Sequence, residues 1–572
     1  MVVGEKQMIL SRKDTIADYV SKGLWGLDSE DHSLAGLLAK RASQHPDHVA
    51  VCDDLRLKKW SQNEPRQLTW GALNQEVEAL ALFFRGLGLA EDAVIATYGA
   101  NTVDFYATVL AIHRAGFIAA PLPLYWREHE LSAYCQETEV SVLIAADRVE
   151  DDQPALRIRD LSQNLLDVRY VFGFGNDLPD GVLNVGEIVK SIEGMVDAAA
   201  PLPLPEPNAV VSIHPADLSW NKTEEVLPRS SNQWLALEHA CFTQQDENPI
   251  TTLNPYALSG LTGFMVSIVQ GLRTGNKTQL HHYHGESSLK QALNQSEATR
   301  IIVPGMLYDE LTSGNSIADK QACLVWKNHE AATSTASQPP ECELLIDLTV
   351  LNNVGAIAQA RNAGDTAPAP VPLDQGNEVC LSIKGSFGKG QEVKTGGELI
   401  MTGAAISTDL YPTNNEHRAL MRLRNKNKDR VASTHLACRF ADESNETVEP
   451  IGFLPDCIFH SGQCVLRDEL EKTFRSIEGI KDLAIYHDTI NDKLNLAIVL
   501  ERGKAMTVAT FEHHLKQKNL SLIKYPDTVI EVDKIEIGPT GVADTRALQA
   551  IFENDAVRVY ELEKKIELLK TA

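Results

Sequence analysis

Three short segments carry side chains that could bind metals or phosphate or act as nucleophiles. The tetrapeptide HHYH at 281–284 offers imidazoles to a transition metal. Cys457, His460 and Cys464 offer soft ligands at C-x2-H-x3-C spacing. The segment GSFGKGQEVKTGG at 385–397 is rich in Gly and Lys, a composition that suits phosphate contact. Each segment also has a structural explanation, so the elements that hold it decide its role.

The structural explanation is preferred for each of the three segments. Side chains alternate along a strand, so the HHYH imidazoles are expected to face opposite sides of a sheet edge, without a metal. Cys457 and Cys464 have no evident fourth metal ligand and are predicted to be buried thiols; a Cys/His acyl-transfer pair with His460 is the alternative. The 385–397 segment lacks the Gly-Lys-Ser/Thr ending of a nucleotide loop and is predicted to be a hairpin. No metal ligand and no catalytic residue is assigned.

Composition limits the possible partners and locations. The 572 residues are 43% hydrophobic and 23% charged, which is typical of a globular protein with several lobes. A net charge of −25 argues against nucleic acid and anionic membranes as partners, because both would be repelled. No apolar run has the length of a signal peptide or a membrane span, and nine scattered cysteines suit free thiols. We expect a cytoplasmic protein without disulfides.

Strands and helices alternate through the first part of the chain. The stretch 68–89 predicts a short strand followed by an amphipathic helix, with its buried stripe supplied by Leu73, Val77, Leu80, Leu82 and Phe84. VIATYG, the helix before Gly116, the strand ending at Pro121 and the strand at 140–147 continue the pattern. This alternation predicts an α/β fold with doubly wound, largely parallel sheets.

The predicted organisation has four parts. An N-terminal arm covers 1–30, a large domain of doubly wound sheets covers 31–452, and a small, mobile α+β domain covers 453–552. Residues 553–572 are predicted to form a tail helix, since Val559, Leu562, Ile566 and Leu569 follow a near-heptad spacing. That helix would pack on its own domain or dock on another protein.

Four segments resemble the adenylate-forming superfamily, which contains acyl-CoA synthetases, aryl-acid adenylating enzymes and peptide-synthetase adenylation domains. They are LTWGAL, RAGFIAAPLPLY, GGELIMTG and the closing IKYPDTVIEVDKIEIGPTGVADTRAL. The similarity runs from about residue 35 to 552 and is closest to the aryl-acid branch. It implies the family's two-domain fold. In that family a carboxylic acid and MgATP give an acyl-adenylate, and a thiol of CoA or a carrier protein takes the acyl group.

The segment that matches the family's phosphate-binding loop lacks the residues that would bind phosphate. The family's Gly/Ser/Thr-rich loop ends in Pro-Lys, because a tetraanion needs amide donors and a cation. The matching segment NKTEEVLPRSSNQ has no glycine, and Glu224 and Glu225 follow Thr223 where the Pro-Lys pair belongs. A like-charge contact at about 4 Å and an effective dielectric near 20 costs roughly 4 kcal/mol. ATP is therefore not expected to bind there.

The other nucleotide stations differ in the same direction. Asn352 stands where the resemblance expects the carboxylate that binds Mg²⁺, and His435 where it expects the Asp that grips the ribose. Asp456 matches the Asp of the family's hinge motif, but the Arg of that motif is missing. Val542 stands in place of the lysine of the adenylation step. The positions that match the acid pocket by order alone are Asn254, Tyr256, Gly260 to Gly263, Pro304 and Gly305.

These losses predict a homologue without adenylation activity that acts as a partner or chaperone subunit in a polyketide or nonribosomal peptide pathway. Its expected clients are a carrier protein, a phosphopantetheinyl transferase or a synthase subunit. ATP and magnesium are not expected as cofactors, whereas CoA or phosphopantetheine is possible. Two alternatives stay open. One is an ATP-independent acyltransferase between CoA and carrier-protein thiols, and the other is a working ligase in which Lys222 or Lys524 substitutes for the lost groups.

Overall fold

A computed structural model describes most of the chain, in two compact units. The described residues are 33–196, 201–216, 226–242, 250–307, 320–328, 330, 342, 344–361, 365, 368–374, 378–384, 396–407, 411, 431–453, 457–460, 463–488, 491–535, 545–552 and 559–561. The first unit comprises those within 33–124, 135–216 and 226–452, and the second those within 125–134 and 453–561. Among the helices described, none combines the length and the apolar character needed to cross a membrane.

One sheet of the first unit has seven strands. Its strands, in spatial order, are Leu183–Asn184, Tyr170–Phe174, Val140–Ala146, Val94–Tyr98, Ile118–Pro121, Val210–Pro215 and Val226–Ser230. All neighbours are parallel except the last pair. The predicted strand and helix alternation at 94–147 is therefore confirmed.

An eight-stranded sheet of the first unit is also largely parallel. Its spatial order is Gly355–Ala360, Leu344–Leu351, Gln321–Lys327, Arg300–Pro304, Thr251–Asn254, Lys277–Leu280, Val49–Cys52 and Gln67–Thr69. The six central strands are parallel, and the two edge strands are antiparallel. Two largely parallel sheets with helices between their strands confirm the α/β prediction.

Helices connect these strands. In the first unit they are Leu34–Gln44, Leu57–Ser61, Trp70–Gly86, Val103–Arg114, Pro154–Ser162, Val185–Val196, Ser231–Cys241, Glu286–Gln295 and one continuous helix made of Leu261–Phe264, Met265–Val269 and Gln270–Thr274. The helix Glu128–Glu137 contributes residues to both units. In Trp70–Gly86 the predicted stripe is buried except for Leu82, which is only partly buried because Ala81 occupies the inward position of that turn.

A five-stranded sheet completes the first unit. Its order is Val371–Pro372, Thr447–Phe453, Ala432–Phe440, Gly396–Thr402 and Cys380–Lys384. Cys380–Lys384 and Gly396–Thr402 pair antiparallel with Lys384 opposite Glu398, as the predicted hairpin requires; residues 385–395 between them lie outside the described part.

The second unit is smaller and mixed. A sheet of Ile480–Asp488, Lys493–Leu500, Thr528–Glu531 and Val559–Glu561 accompanies a hairpin of Cys457–His460 and Gln463–Leu466. The helices Arg467–Arg475, Val508–Gln517 and Thr545–Phe552 belong to this unit. One buried apolar cluster joins hairpin, sheet and helices, with Val465, Phe474, Leu496, Phe511 and Leu515 among its members.

The predicted tail helix is wrong at its first turn. Val559–Glu561 form an edge strand that pairs antiparallel with Thr528–Glu531. Val and Tyr favour extended backbone, and the pairing satisfies main-chain groups that a helix start would leave open. Leu562, Ile566 and Leu569 lie outside the described residues.

No disulfide is formed by the cysteines whose side chains are described. These free thiols are Cys52, Cys135, Cys241, Cys323, Cys342, Cys380 and Cys438. Burial raises the pKa of Cys135 and Cys323 to about 12, so both remain protonated thiols near neutral pH.

Candidate functional site

The strand Val226–Ser230 leads into the helix that follows the predicted phosphate segment. Ser230 Oγ accepts a hydrogen bond from the Gln233 N–H, and the Gln233 side chain accepts one from the Ser230 N–H. This capping box begins the helix Ser231–Cys241, where the sequence predicts a helix entry. Thr223, Glu224 and Glu225 lie outside the described residues.

Arg229, next to that cap, is a fully buried cation. Its Nη2 donates to the carbonyls of Asn353 (2.5 Å) and Val354 (2.9 Å), and its Cζ lies 5.0 Å from the centroid of the Trp234 ring. Within the described residues, Nε and Nη1 have no hydrogen-bond partner. Burial lowers the pKa of Arg229 to about 9, so the guanidinium stays charged at neutral pH. The sequence interpretation did not single out this residue.

The turn that Arg229 contacts carries Asn352. Both Asn352 and Asn353 have left-handed backbone, with φ of 50° and 55°, a region that Asn tolerates better than most residues. The Asn352 N–H donates to Asn328 Oδ1 at 2.8 Å. The Asn352 side chain is completely buried, and in the described part of the chain neither its Oδ1 nor its Nδ2 has a hydrogen-bond partner. An uncharged, buried amide therefore occupies the position where the resemblance expects the magnesium-binding carboxylate.

Asn353 links the same turn to two other segments of the site. Its Oδ1 accepts from the Leu261 N–H at 3.4 Å, at the start of the helix that follows Gly260. Its Nδ2 donates to the carbonyl of Pro215 at 3.5 Å, at the end of the strand Val210–Pro215. The end of that strand, the helix start and the turn are thus connected through one side chain.

A ring cluster lies behind Arg229. Trp234 stacks on Phe264 with centroids 4.4 Å apart and donates from Nε1 to Ser212 Oγ at 2.9 Å. His214 meets both rings edge-on and lies 3.0 Å from Ser212 Oγ through Nε2. Burial lowers the pKa of His214 to about 3, so the imidazole is neutral at pH 7. This ring cluster and the Arg229 guanidinium are therefore packed together in the interior of the first unit.

The residues at the predicted acid-pocket positions have structural roles. Asn254 donates to Ser267 Oγ at 2.6 Å and to the Tyr256 carbonyl at 3.0 Å. A Cβ at Gly263 would lie 1.9 Å from the Ala257 carbonyl oxygen, and one at Gly305, which follows Pro304, would lie 2.5 Å from the Trp326 ring. Close packing therefore explains both glycines without a ligand.

His435 lies in a different sheet from Asn352. It has a left-handed φ of 54° where the strand Ala432–Phe440 slips in register against Gly396–Thr402. Its N–H donates to Ser433 Oγ at 3.0 Å, and Thr434 Oγ1 donates to the Leu399 carbonyl at 2.6 Å. This β-bulge fixes the half-buried imidazole. Asp456 and Val542 lie outside the described residues.

Lys524, one of the two predicted substitute lysines, is engaged in the second unit. Its Nζ lies 3.0 Å from Glu130 Oε1, and both side chains are buried. Burial opposes ionisation of Glu130, but the charge of Lys524 and the N–H groups of Ser521 and Arg127 outweigh it and lower the pKa of Glu130. Lys222, the other candidate, lies outside the described residues.

The HHYH segment lies beyond the end of the strand Lys277–Leu280, so the strand alternation used in the prediction does not apply to it. His281 is buried and lies 2.5 Å from Asp54 Oδ2 through its Nδ1. His282 and His284 stack 5.8 Å apart, and His282 Nε2 lies 3.0 Å from Glu150 Oε1. Glu150, His282 and His284 together form a group that could hold a metal ion, which the alternation argument did not anticipate.

Comparisons with known proteins agree with this architecture. Residues 38–212 match the family described as AMP-binding enzyme. Pyochelin synthase PchD from Pseudomonas aeruginosa is 30% identical over 144 residues, which cover 25% of this chain and 24% of that protein. The match therefore spans about a quarter of that relative's length. Triostin synthetase I from Streptomyces triostinicus is 22% identical over 559 residues, 95% of this chain and 98% of that protein.

Solved structures share the fold at low sequence identity. The amide bond synthetase McbA from Marinactinospora thermotolerans has a TM-score of 0.70 and 17% identity, covering 90% of this chain and 99% of that one. The o-succinylbenzoate CoA synthetase MenE from Bacillus subtilis has a TM-score of 0.66 and 13% identity, covering 90% and 98%. The family match over residues 38–212 and the shared fold support the resemblance to the adenylate-forming superfamily that the sequence motifs indicate.

Proposed function

We propose that this protein is a superfamily member without adenylation activity, which serves as a partner or chaperone subunit in acyl-carrier-protein-dependent biosynthesis. The observation that carries the proposal is the complete burial of Asn352, an uncharged residue that stands where the resemblance expects the magnesium-binding carboxylate. Magnesium demands hard anionic oxygen and keeps several of its waters. An uncharged amide supplies no anionic oxygen, and a side chain with no exposed surface leaves no room beside it for those waters.

Arg229 adds an electrostatic argument against magnesium. Its guanidinium is bonded to the carbonyls of the turn that carries Asn352 and remains charged at neutral pH. A magnesium ion bound at that turn would bring two positive charges close to this fixed cation, and like charges repel more strongly as their separation falls. The same cation already occupies the interior against Trp234.

The alternative of a ligase with substituted groups loses one of its candidates. Lys524 is held in a buried ion pair with Glu130, so moving it to a phosphate would leave an uncompensated buried carboxylate. Breaking such a pair costs roughly 3–5 kcal/mol. This supports a structural role for Lys524.

The partner role rests on the relatives and on the fold. Pyochelin synthase PchD, triostin synthetase I and a plipastatin synthase from Bacillus subtilis are all synthases or synthetases by name. Carrier-protein docking, with CoA or phosphopantetheine as a bound group, is a use of this fold that requires neither ATP nor magnesium. The expected clients remain a carrier protein, a phosphopantetheinyl transferase or a synthase subunit.

Purification of the full-length chain from its native host tests this role. We expect a stoichiometric companion of one of these three classes to stay bound through size exclusion, and the purified pair to re-form when mixed. A carrier protein should be tested in forms with and without its phosphopantetheine arm, which separates recognition of the arm from recognition of the protein. A strictly monomeric chain without a stable companion would contradict the proposal.

A further inference from the structure

Two histidines and an aspartate converge in the second unit. His460 Nδ1 lies 3.1 Å from Asp492 Oδ1, and His487 Nε2 lies 3.0 Å from the same oxygen. The three ligand atoms lie within 4.8 Å of one another. Two imidazole nitrogens therefore face one carboxylate oxygen.

The three residues come from three neighbouring segments. His460 ends the strand Cys457–His460, His487 lies near the end of Ile480–Asp488, and Asp492 immediately precedes Lys493–Leu500. These elements share the buried apolar cluster of the second unit. The backbone that presents the ligands is therefore anchored by packing.

The sequence interpretation considered His460 together with Cys457 and Cys464 and preferred buried thiols for the two cysteines. In the hairpin register Phe459 pairs with Cys464 and His460 with Gln463, so Cys457 and Cys464 occupy positions that alternate with His460. The residues whose ligand atoms lie near His460 are His487 and Asp492.

We propose that His460, His487 and Asp492 bind one divalent transition metal ion of the zinc class. Zinc bonds of about 2.0–2.1 Å to nitrogen and oxygen place tetrahedral ligand atoms about 3.3 Å apart. The two His–Asp distances fall close to that edge length. Two imidazoles and a carboxylate are a ligand set that zinc accepts, with water completing the tetrahedron.

Asp527 supports the arrangement from the other side of the ring. Its Oδ2 lies 3.7 Å from His460 Nε2 and accepts the Leu494 N–H at 2.7 Å. At this distance, longer than a hydrogen bond, the carboxylate acts on the ring electrostatically and raises the basicity of the imidazole as a ligand. Asp527 is thus a positioning residue for His460.

The site is buried at one end and open at the other. His460 is 1% exposed, whereas the Asp492 side chain is 49% exposed. An ion can therefore enter from solvent beside Asp492 and be held against the hairpin. Bound metal would fasten the hairpin 457–466 to the strand pair that follows it, independently of the proposed function.

Zinc titration of chelator-stripped, full-length protein against a chromophoric competitor tests the site. We expect one ion per chain, and Co²⁺ is expected to give the visible bands of a tetrahedral N/O site. Asp527→Asn should weaken zinc binding by about 10- to 100-fold, and loss of a direct ligand in His487→Gln or Asp492→Asn should weaken it more. Circular dichroism of each variant checks that it is folded.

Two histidine variants serve as controls. His513→Gln removes an imidazole on the helix Val508–Gln517 and should leave zinc affinity unchanged. His282→Gln removes a member of the other cluster, Glu150, His282 and His284, and should also leave it unchanged. No saturable zinc uptake, uptake indifferent to both His487→Gln and Asp492→Asn, or uptake abolished by His282→Gln would each overturn the assignment.

Discussion

Lys524→Met is expected to lower the free energy of unfolding by about 3–5 kcal/mol at neutral pH, because it leaves Glu130 buried and uncompensated. The wild-type carboxylate receives hydrogen bonds from the Ser521 N–H at 3.0 Å and the Arg127 N–H at 3.1 Å in addition to the ammonium group. Those two amides remain in the variant and do not replace the lost charge. Urea denaturation of the full-length chain measures the change.

The effect of Lys524→Met should depend on pH in a defined direction. In the wild type the pKa of Glu130 is lowered, so its stabilising contribution is fully present above the unfolded value of about 4.3 and is lost as the pH falls through the folded pKa. Without Lys524, burial dominates and raises the folded pKa, so the penalty grows as the pH rises above about 4.3. The difference in free energy of unfolding between the wild type and Lys524→Met should therefore decrease as the pH falls toward about 4.3.

Two further variants separate the buried pair from ordinary loss of a lysine. Lys524→Met combined with Glu130→Gln removes the uncompensated charge and should recover at least half of the lost stability. Lys504→Met breaks the exposed pair with Glu478 and should leave the urea midpoint unchanged. A Lys524→Met protein as stable as the wild type at pH 7.5 would show that the ammonium group does not hold Glu130.

Trp234→Ala is expected to destabilise the first unit by about 3–5 kcal/mol, the range for deleting a buried aromatic side chain. The substitution removes the stack on Phe264, the hydrogen bond to Ser212 and the ring beneath Arg229. It also leaves the guanidinium with less compensation for its burial. Urea denaturation again provides the measurement.

Trp234→Phe is the matched control for this substitution. It keeps an aromatic ring against Phe264 and loses the indole N–H, so the expected cost is about 1–3 kcal/mol. An alanine variant that costs less than the phenylalanine variant would contradict the idea that Trp234 fills the interior of the site.

The layered α/β order could be predicted from the sequence because it depends on local periodicity. The strands at 94–98, 118–121 and 140–146 and the helix Trp70–Gly86 appear where apolar runs and 3.6-residue stripes predict them. Motif spacing alone also led to the prediction about Asn352. Its contacts could not be found in this way, because Asn328, which follows the strand Gln321–Lys327, and Arg229, on the strand Val226–Ser230, are distant in sequence.

The remaining features depend on pairings between distant segments. The Ser521 N–H reaches Glu130 across 391 residues, and no local pattern marks Glu130 as the partner of Lys524. His487 and Asp492 reach His460 only after three strands have taken their register. The edge strand at Val559 shows the reverse case, in which a long-range pairing overrides a helical spacing.

Calorimetric titration of ATP into the full-length protein, with and without magnesium, tests the central claim most directly. Without a carboxylate at Asn352, and with the Arg229 charge beside that turn, magnesium should not increase the affinity for ATP. The predicted result is no saturable heat of binding in either buffer. Saturable, magnesium-dependent binding of ATP would contradict it.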